Sequence, residues 1–321
     1  MEVKNIIFSG DSFTWGEGLE LEDEVFSKTI MNDCIENGGY RYPRYSELLD
    51  SSYAQYLRNK WKFPTKVAEH FGVVNVNPNR NGGDNINAIQ FAIGALSEFS
   101  FMEFSHVILN LTHEYRSTLS VKMQEWFNSE YGYIPKSFIE VENIIKIWNA
   151  YITLNDYEIK SSSDKVLRFY KKLCPDTKIN IQIPPNDVID KIITKPTDDV
   201  KDKWELKLLT EYYKEYREYI KTIEDKKVKV YILNGWSHST VTFFKNCEDL
   251  ELKKFYEDRF IYLFSDKCNR TFYNLKEIIE CDDVDYSLYK TYDWSKNEHP
   301  NKNAHDLIAK SIIKKIGKNI I

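Results

Sequence analysis

Val3-Lys4-Asn5-Ile6-Ile7-Phe8-Ser9-Gly10-Asp11-Ser12 is the stretch that decides the fold. The run Val3 to Phe8 reads as a buried strand, and the turn-forming Ser9-Gly10-Asp11-Ser12 stops it. The pattern then repeats outward. Val73 to Val76, Val107 to Leu111, Lys178 to Ile183 and Lys227 to Leu233 are further short apolar runs. Helical spacing fills the intervals. Phe63, Val67 and Phe71 recur four apart within Trp61 to Phe71, with Gly72 as the stop. Asp84 can cap a helix through Phe99 that sets Ile86, Ile89, Ala92, Ile93 and Leu96 on one face. Longer helices are expected over Ser137 to Leu173, Lys203 to Ile223 and Asn303 to Ile316. Apolar strands alternating with helices call for an α/β fold, a parallel five-stranded sheet covered on both faces. Residues 1–321 read as one domain, elaborated by large insertions near 19–60, 117–134 and 237–292. None of these is Pro/Ser-rich or of low complexity.

Composition narrows the class. An apolar fraction of 42% with 15% aromatic residues supports a sizeable core and excludes disordered and fibrous classes. A formal net charge of −5 excludes a nucleic-acid polycation, and Lys226 to Lys229 reads as a solvated face. The cysteines Cys34, Cys174, Cys247, Cys268 and Cys281 are scattered, with no C-x-x-C spacing, and read as reduced thiols. No signal peptide and no membrane span is legible, so the expected location is cytoplasmic. Abundant Asn, Ile, Lys and Tyr point to an AT-rich coding genome. Glycine is the unusual number: 12 in 321 residues, about half the ordinary ~7%. Five of them, Gly10, Gly16, Gly18, Gly82 and Gly83, fall in two short segments.

Chemistry gathers at the same places. A serine just past the carboxyl end of a first parallel strand enters the crevice where α/β folds bind ligands. Asp11 either holds that turn through backbone N–H groups or caps the next helix. A serine hydroxyl becomes a nucleophile when a neighbouring imidazole takes its proton. Only six histidines are present, and Glu298-His299-Pro300-Asn301-Lys302-Asn303-Ala304-His305 opens the last helix. In Asn77-Pro78-Asn79-Arg80-Asn81-Gly82-Gly83-Asp84-Asn85, a glycine backbone can approach a reacting oxygen to about 3 Å. Asp84 and Asn85 then start a helix whose dipole adds positive potential there.

Gly10-Asp11-Ser12-Phe13 with Gly16, together with His299-Pro300-Asn301 before a C-terminal helix, resembles the SGNH/GDSL hydrolase family in a divergent, phage-type form. The resemblance implies a flavodoxin-like three-layer α/β/α sandwich and hydrolysis of esters, thioesters or O-acetyl groups. It makes Ser12 the nucleophile and His299 the general base, with Ser12, Gly83 and Thr112 forming the oxyanion hole. The family's third block is Gly-x-Asn-Asp, whereas this chain has Asn110-Leu111-Thr112-His113-Glu114-Tyr115-Arg116. Thr112 thus replaces an amide donor with a hydroxyl. The family places Asp three residues before the histidine, where this chain has Lys296. Asp293 is the candidate orienter of His299, the alternative being a dyad oriented by a backbone carbonyl.

Asp11, Asn85, His113, Arg116 and Trp236 complete the expected substrate-binding set. Arg116 suits an anionic intermediate or a substrate carboxylate; His113 is either a substrate contact or a loop residue; Trp236 lines the crevice or the edge of the core. His305 reads as structural and Asp306 as a solvated helix residue. No metal or organic cofactor is required. The expected activity is a serine esterase or acetylesterase acting through an acyl-enzyme on a small-molecule or carbohydrate ester. Two alternatives stand beside it: a catalytically weak or inactive scaffold for binding or virion structure, and an acyltransferase using the same serine. No nucleic-acid partner is expected, and the insertions offer surfaces for homo-oligomer or virion assembly.

Overall fold

The computed structural model describes residues 2–16, 18–29, 51–78, 84–112, 114, 119, 121–135, 140, 200–234, 238–261, 289–291 and 298–318. The chain divides into two compact units, Met1–His113 with Glu218–Ile321, and Glu114–Arg217.

The first unit is built on a parallel sheet of β1 (Asn5–Ser9), β2 (Asn75–Val76), β3 (Phe104–Leu111) and β4 (Lys229–Asn234), in the order β2-β1-β3-β4. The fold is therefore α/β with a parallel sheet, as the alternation of apolar runs and helical spacing requires. The sheet has four strands among the described residues, not five. Lys178 to Ile183, one of the expected strands, lies outside those residues, and β4 pairs directly with β3 from His106↔Lys229 to Leu111↔Asn234. On the other side of β4, one isolated parallel bridge joins Ile232 to Phe260. The Ile232 N–H donates to the Arg259 carbonyl at 2.9 Å, and the Ile261 N–H donates to the Ile232 carbonyl at 2.8 Å. Arg259 is fixed there by a two-pronged contact with Glu224, at 3.0 and 2.8 Å, a geometry that suits the planar guanidinium.

Strand alternation sorts the side chains between two layers. Ile6, Phe8, Ile108, Tyr231 and Leu233 share one buried cluster with Phe63, Val67, Ala304, Ile308 and Ile312. The helices on that face are α3 (Phe63–Phe71) and α9 (Lys302–Gly317). Each fully buried large apolar side chain there contributes roughly 1.5–3 kcal/mol. Phe8 meets Phe63 edge-on, with ring centroids 5.9 Å apart. The opposite face carries α4 (Asn85–Glu98), capped by the Asp84 side chain, which accepts from the Asn87 N–H at 2.7 Å. Ala88, Ile89 and Ala92 are buried on it, whereas Ile86 and Ile93 sit at the edge of the stripe. Ser9 ties β1 to this helix by donating to the Ala88 carbonyl at 2.6 Å.

The helix expected over Trp61 to Phe71 is α3, which starts two residues later; Trp61 instead ends α2 (Ser52–Trp61), and an extended Lys62 separates the two. Pro64 is the reason. It has no N–H to donate, and its ring clashes with the carbonyl four residues back unless the helix restarts. Gly72 does stop α3, in the left-handed conformation at φ 66°. The helix expected over Asn303 to Ile316 is α9, and the segment just before it is extended. Pro300 biases His299 toward extended backbone, and β6 (Glu298–Pro300) pairs antiparallel with β5 (Tyr289–Thr291). Asn301 then caps α9, its side chain accepting from the Ala304 N–H at 3.1 Å.

At the amino end of the sheet the ladder between β1 and β3 shifts register between Asn5 and Ile6. Ser105, the residue skipped, turns its hydroxyl to Lys4, accepting from the backbone N–H at 2.9 Å and donating to the carbonyl at 3.2 Å. The same oxygen lies 2.7 Å from His106 Nδ1, and the His106 ring stacks on Tyr231 at 5.7 Å. Burial, with the charge of Lys229 adding to it, holds the His106 imidazole down to about 4.

Short helices α1 (Ser12–Trp15), α7 (His238–Asn246) and α8 (Leu250–Glu257) complete the first unit. The second unit contains α5 (Val121–Tyr131) and α6 (Val200–Glu224) up to Arg217. Its core stacks Tyr212 on Tyr216 at 6.2 Å, and the Tyr213 hydroxyl donates to the buried Glu114 carboxylate. Among the described residues no helix is long and apolar enough to cross a membrane.

Candidate functional site

The strand order sets where chemistry can gather. With β2 on one side of β1 and β3 on the other, successive connections leave β1 in opposite directions. A crevice therefore opens between the carboxyl ends of β1 and β3. The pairing Ser9↔Leu109 brings Gly10, Asp11 and Ser12 beside Asn110, Leu111 and Thr112.

Gly10 is there because nothing larger fits. A Cβ on it would lie 2.3 Å from Thr14 Oγ1 and 2.7 Å from Asn110 Cβ. The Asp11 carbonyl accepts from the Trp15 N–H at 3.0 Å, which starts α1 with Ser12 as its first residue. The Asp11 side chain is fully buried, and its Oδ1 accepts from Asn110 Nδ2 at 3.0 Å. An ionised carboxylate only accepts, so this bond fixes which way the Asn110 amide faces. Asn110 Oδ1 is left without a hydrogen-bond partner among the described residues.

Asn85, first residue of α4, is 1% exposed and uses both ends of its amide on one residue. Its Oδ1 accepts from the Thr112 N–H at 2.7 Å, and its Nδ2 donates to the Thr112 carbonyl at 3.0 Å. The backbone of Thr112 is thereby pinned just past β3, while its buried Oγ1 has no hydrogen-bond partner among the described residues. Thr14 Oγ1 is in the same condition, and the Thr14 carbonyl accepts from Asn77 Nδ2 at 3.1 Å. Ile108 and Asn110 alternate onto one face of β3. That is the face covered by α9, since Ile108 clusters with Ala304 and Ile308. The backbone of His299 sits in β6, opposite Lys290 and two residues before the Asn301 cap of that helix.

The insertion between β1 and α3 supports the Ser12 turn from outside. The Arg58 guanidinium of α2 lies 3.9 Å from the Trp15 ring centroid, and its Nη1 is 3.3 Å from Glu20 Oε1. Both charged side chains are almost wholly buried, at 3% and 0% exposure. The chain turns back toward them through Gly16 and Gly18, which adopt φ of 85° and 87°, a conformation that favours glycine. Lys62 packs against Gly16, and burial together with the nearby Arg58 charge lowers its ammonium to about 8.

Of the residues the sequence singles out, Asp11 is joined to the end of β3 through Asn110, and Ser12 follows it as the first residue of α1. Asn85 is joined to the backbone of Thr112 just past the end of β3. His305 is structural: its Nδ1 accepts from the Phe63 N–H at 3.1 Å, and its ring stacks on Phe63 at 5.6 Å. Asp306 pairs with Lys66 on the surface of the same helix pair. Gly83, His113, Arg116, Trp236 and Asp293 lie outside the described residues. Asn110 and Arg58 were not singled out by the sequence. The two-residue spacing of Asn110 and Thr112 was the available signal for the first, whereas nothing local marks Arg58 as the partner of Trp15. No family model matches the chain, and no curated protein or solved structure matches it.

Proposed function

We propose that the chain is a serine hydrolase that cleaves an ester or O-acetyl group through an acyl-enzyme. The observation that carries the reading is the crevice between β1 and β3: a Gly-Asp-Ser turn beside a strand end followed by a buried threonine hydroxyl that has no partner among the described residues. The strand order β2-β1-β3-β4 supports the flavodoxin-like sandwich that the sequence resemblance implies. His299 stands before a helix that packs on the sheet face to which Ile108 and Asn110 alternate, which supports its pairing with Ser12.

In this reading the Ser12 oxygen attacks the acyl carbon while its proton passes to His299. The tetrahedral oxyanion is held by the Ser12 and Gly83 backbone amides and the Thr112 hydroxyl. Collapse breaks the bond to the leaving oxygen, which takes the proton back from His299. Water repeats the sequence on the acyl-enzyme and releases the acid. Asp293 is the proposed orienter of His299. An acceptor alcohol in place of water makes the same intermediate a transferase.

Labelling with a serine-reactive fluorophosphonate, followed by intact mass, tests the proposal. A stoichiometric adduct on the wild type that is lost in Ser12→Ala is expected, with turnover of p-nitrophenyl acetate lost in parallel. A folded wild type that neither takes the adduct nor turns over the ester overturns the reading in favour of a binding scaffold.

A further inference from the structure

The short stretch Arg58 to Phe63, where α2 gives way to α3, touches both of the chain's distant segments that carry Ser12 and His299. On one side it meets the end of α1. The Arg58 guanidinium lies over the Trp15 ring at 3.9 Å, and the Lys62 Cβ is 3.1 Å from where a side chain on Gly16 would begin. Trp15 is the last residue of the single turn that Ser12 opens. On the other side it meets the start of α9. Lys302 Nζ lies 3.4 Å from the Trp61 ring centroid, and the Phe63 N–H donates to His305 Nδ1 at 3.1 Å. Lys302 is the first residue of α9, directly after the Asn301 cap and three residues after His299.

The two contacts on α9 differ in kind. Phe63 and His305 are both fully buried and anchor the helix one turn in. Trp61 acts at its first residue, nearest β6, and through a directional force: an ammonium is drawn to the negative face of an indole. Arg58 and Trp61 stand three apart on α2 and so share one side of that helix. The Ser12 turn and the His299 segment are thus referred to the same helix end.

We infer that Trp61 is a positioning residue: by holding Lys302 on its ring face it sets the start of α9, and with it the β6 segment of His299, relative to the Ser12 turn. This rests on the serine-hydrolase reading. Trp61 acts through Lys302 and not on the substrate.

The test measures fluorophosphonate labelling over a range of reagent concentrations, which separates the maximal rate from the half-saturating concentration. Wild type, Trp61→Phe, Trp61→Leu, Lys302→Met and the double variant Trp61→Leu with Lys302→Met are compared at a temperature where circular dichroism shows each to be folded. Trp61→Leu and Lys302→Met should each lower the maximal rate about tenfold, because a displaced base slows the chemical step. The half-saturating concentration should not change. Trp61→Phe keeps an aromatic face and should recover most of the rate. The double variant should be no slower than either single one, since both remove the same contact. Ser51→Ala is the control: it deletes the side-chain cap of α2, whose Oγ accepts from the Ala54 N–H at 3.2 Å. It should lower the melting temperature and leave labelling untouched.

A labelled wild type with Trp61→Leu unchanged, or with Trp61→Phe or Ser51→Ala as slow as Trp61→Leu, overturns this inference and leaves the hydrolase reading intact. So does a double variant in which the two losses multiply. If Trp61→Leu does not fold, Lys302→Met decides, and a wild-type rate there overturns the inference. A folded wild type that takes no label overturns both.

Discussion

The two ends of the central sheet treat buried polar groups in opposite ways. At the amino end, Ser105 spends its hydroxyl on both backbone groups of Lys4 and on the His106 ring. At the carboxyl end, Asn110 Oδ1, Thr112 Oγ1 and Thr14 Oγ1 are buried without a partner among the described residues. A buried polar atom left unpaired costs about 1–3 kcal/mol. The same strand, β3, thus carries a satisfied network at its amino end, while Asn110 Oδ1 near its carboxyl end has no partner among the described residues. Folding explains the first, because a skipped residue in the ladder leaves Lys4 in need of partners. Among the described residues nothing accounts for the second in the same way.

The comparison can be broken at three points. The largest effect is expected from Gly10→Ala. Its Cβ would meet Asn110 Cβ, which sits on the backbone and cannot swing aside. A loss of about 3 kcal/mol in urea unfolding is expected, together with loss of the fluorophosphonate adduct. A variant as stable as wild type would mean that the strand ends are not so closely apposed.

The amino end should answer to acid. The folded pKa of His106 is about 4, below its ordinary value of 6.5. The unfolded chain therefore binds the proton first, and the contribution of the neutral ring is complete above pH 6.5 and lost as the pH falls toward 4. Stability should drop by about 2 kcal/mol across that window, and His106→Gln should remove this part of the pH dependence. An unaltered profile in His106→Gln would show that other groups govern it.

The smallest effect is also the most discriminating. Thr112→Val removes, at nearly constant volume, a hydroxyl with no partner among the described residues. It should leave stability unchanged or raise it by about 1 kcal/mol, while slowing fluorophosphonate labelling. If labelling is untouched, the hydroxyl plays no part in holding the oxyanion.

Much of the frame was legible in the residues themselves. Asp84, Gly72 and the apolar spacing each carry a local signal, and α3, α4 and α9 end close to where those signals stand. Position within the sheet carries no such signal. Nothing in Phe260 or Ile261 announces that they meet the outer edge of β4, since that contact depends on Arg259 finding Glu224 thirty-five residues away. The break at Lys62 was legible in principle through Pro64, which suits the first turn of a helix and not its interior. At the candidate site the turn chemistry of Gly10 to Ser12 could be read locally. The pairing of Asn110 with Asp11 could not, because it exists only once the β1–β3 register puts the two together.

Asn85 has a consequence of another kind. With its Oδ1 on one N–H and its Nδ2 on the adjoining carbonyl, the side chain copies the hydrogen-bonding face of a peptide group. In effect it lends the sheet one further rung that belongs to no strand. Thr112 can leave the ladder without exposing a pairing edge. A single helix-borne amide thus stands in for a neighbouring strand just past the last rung of β3.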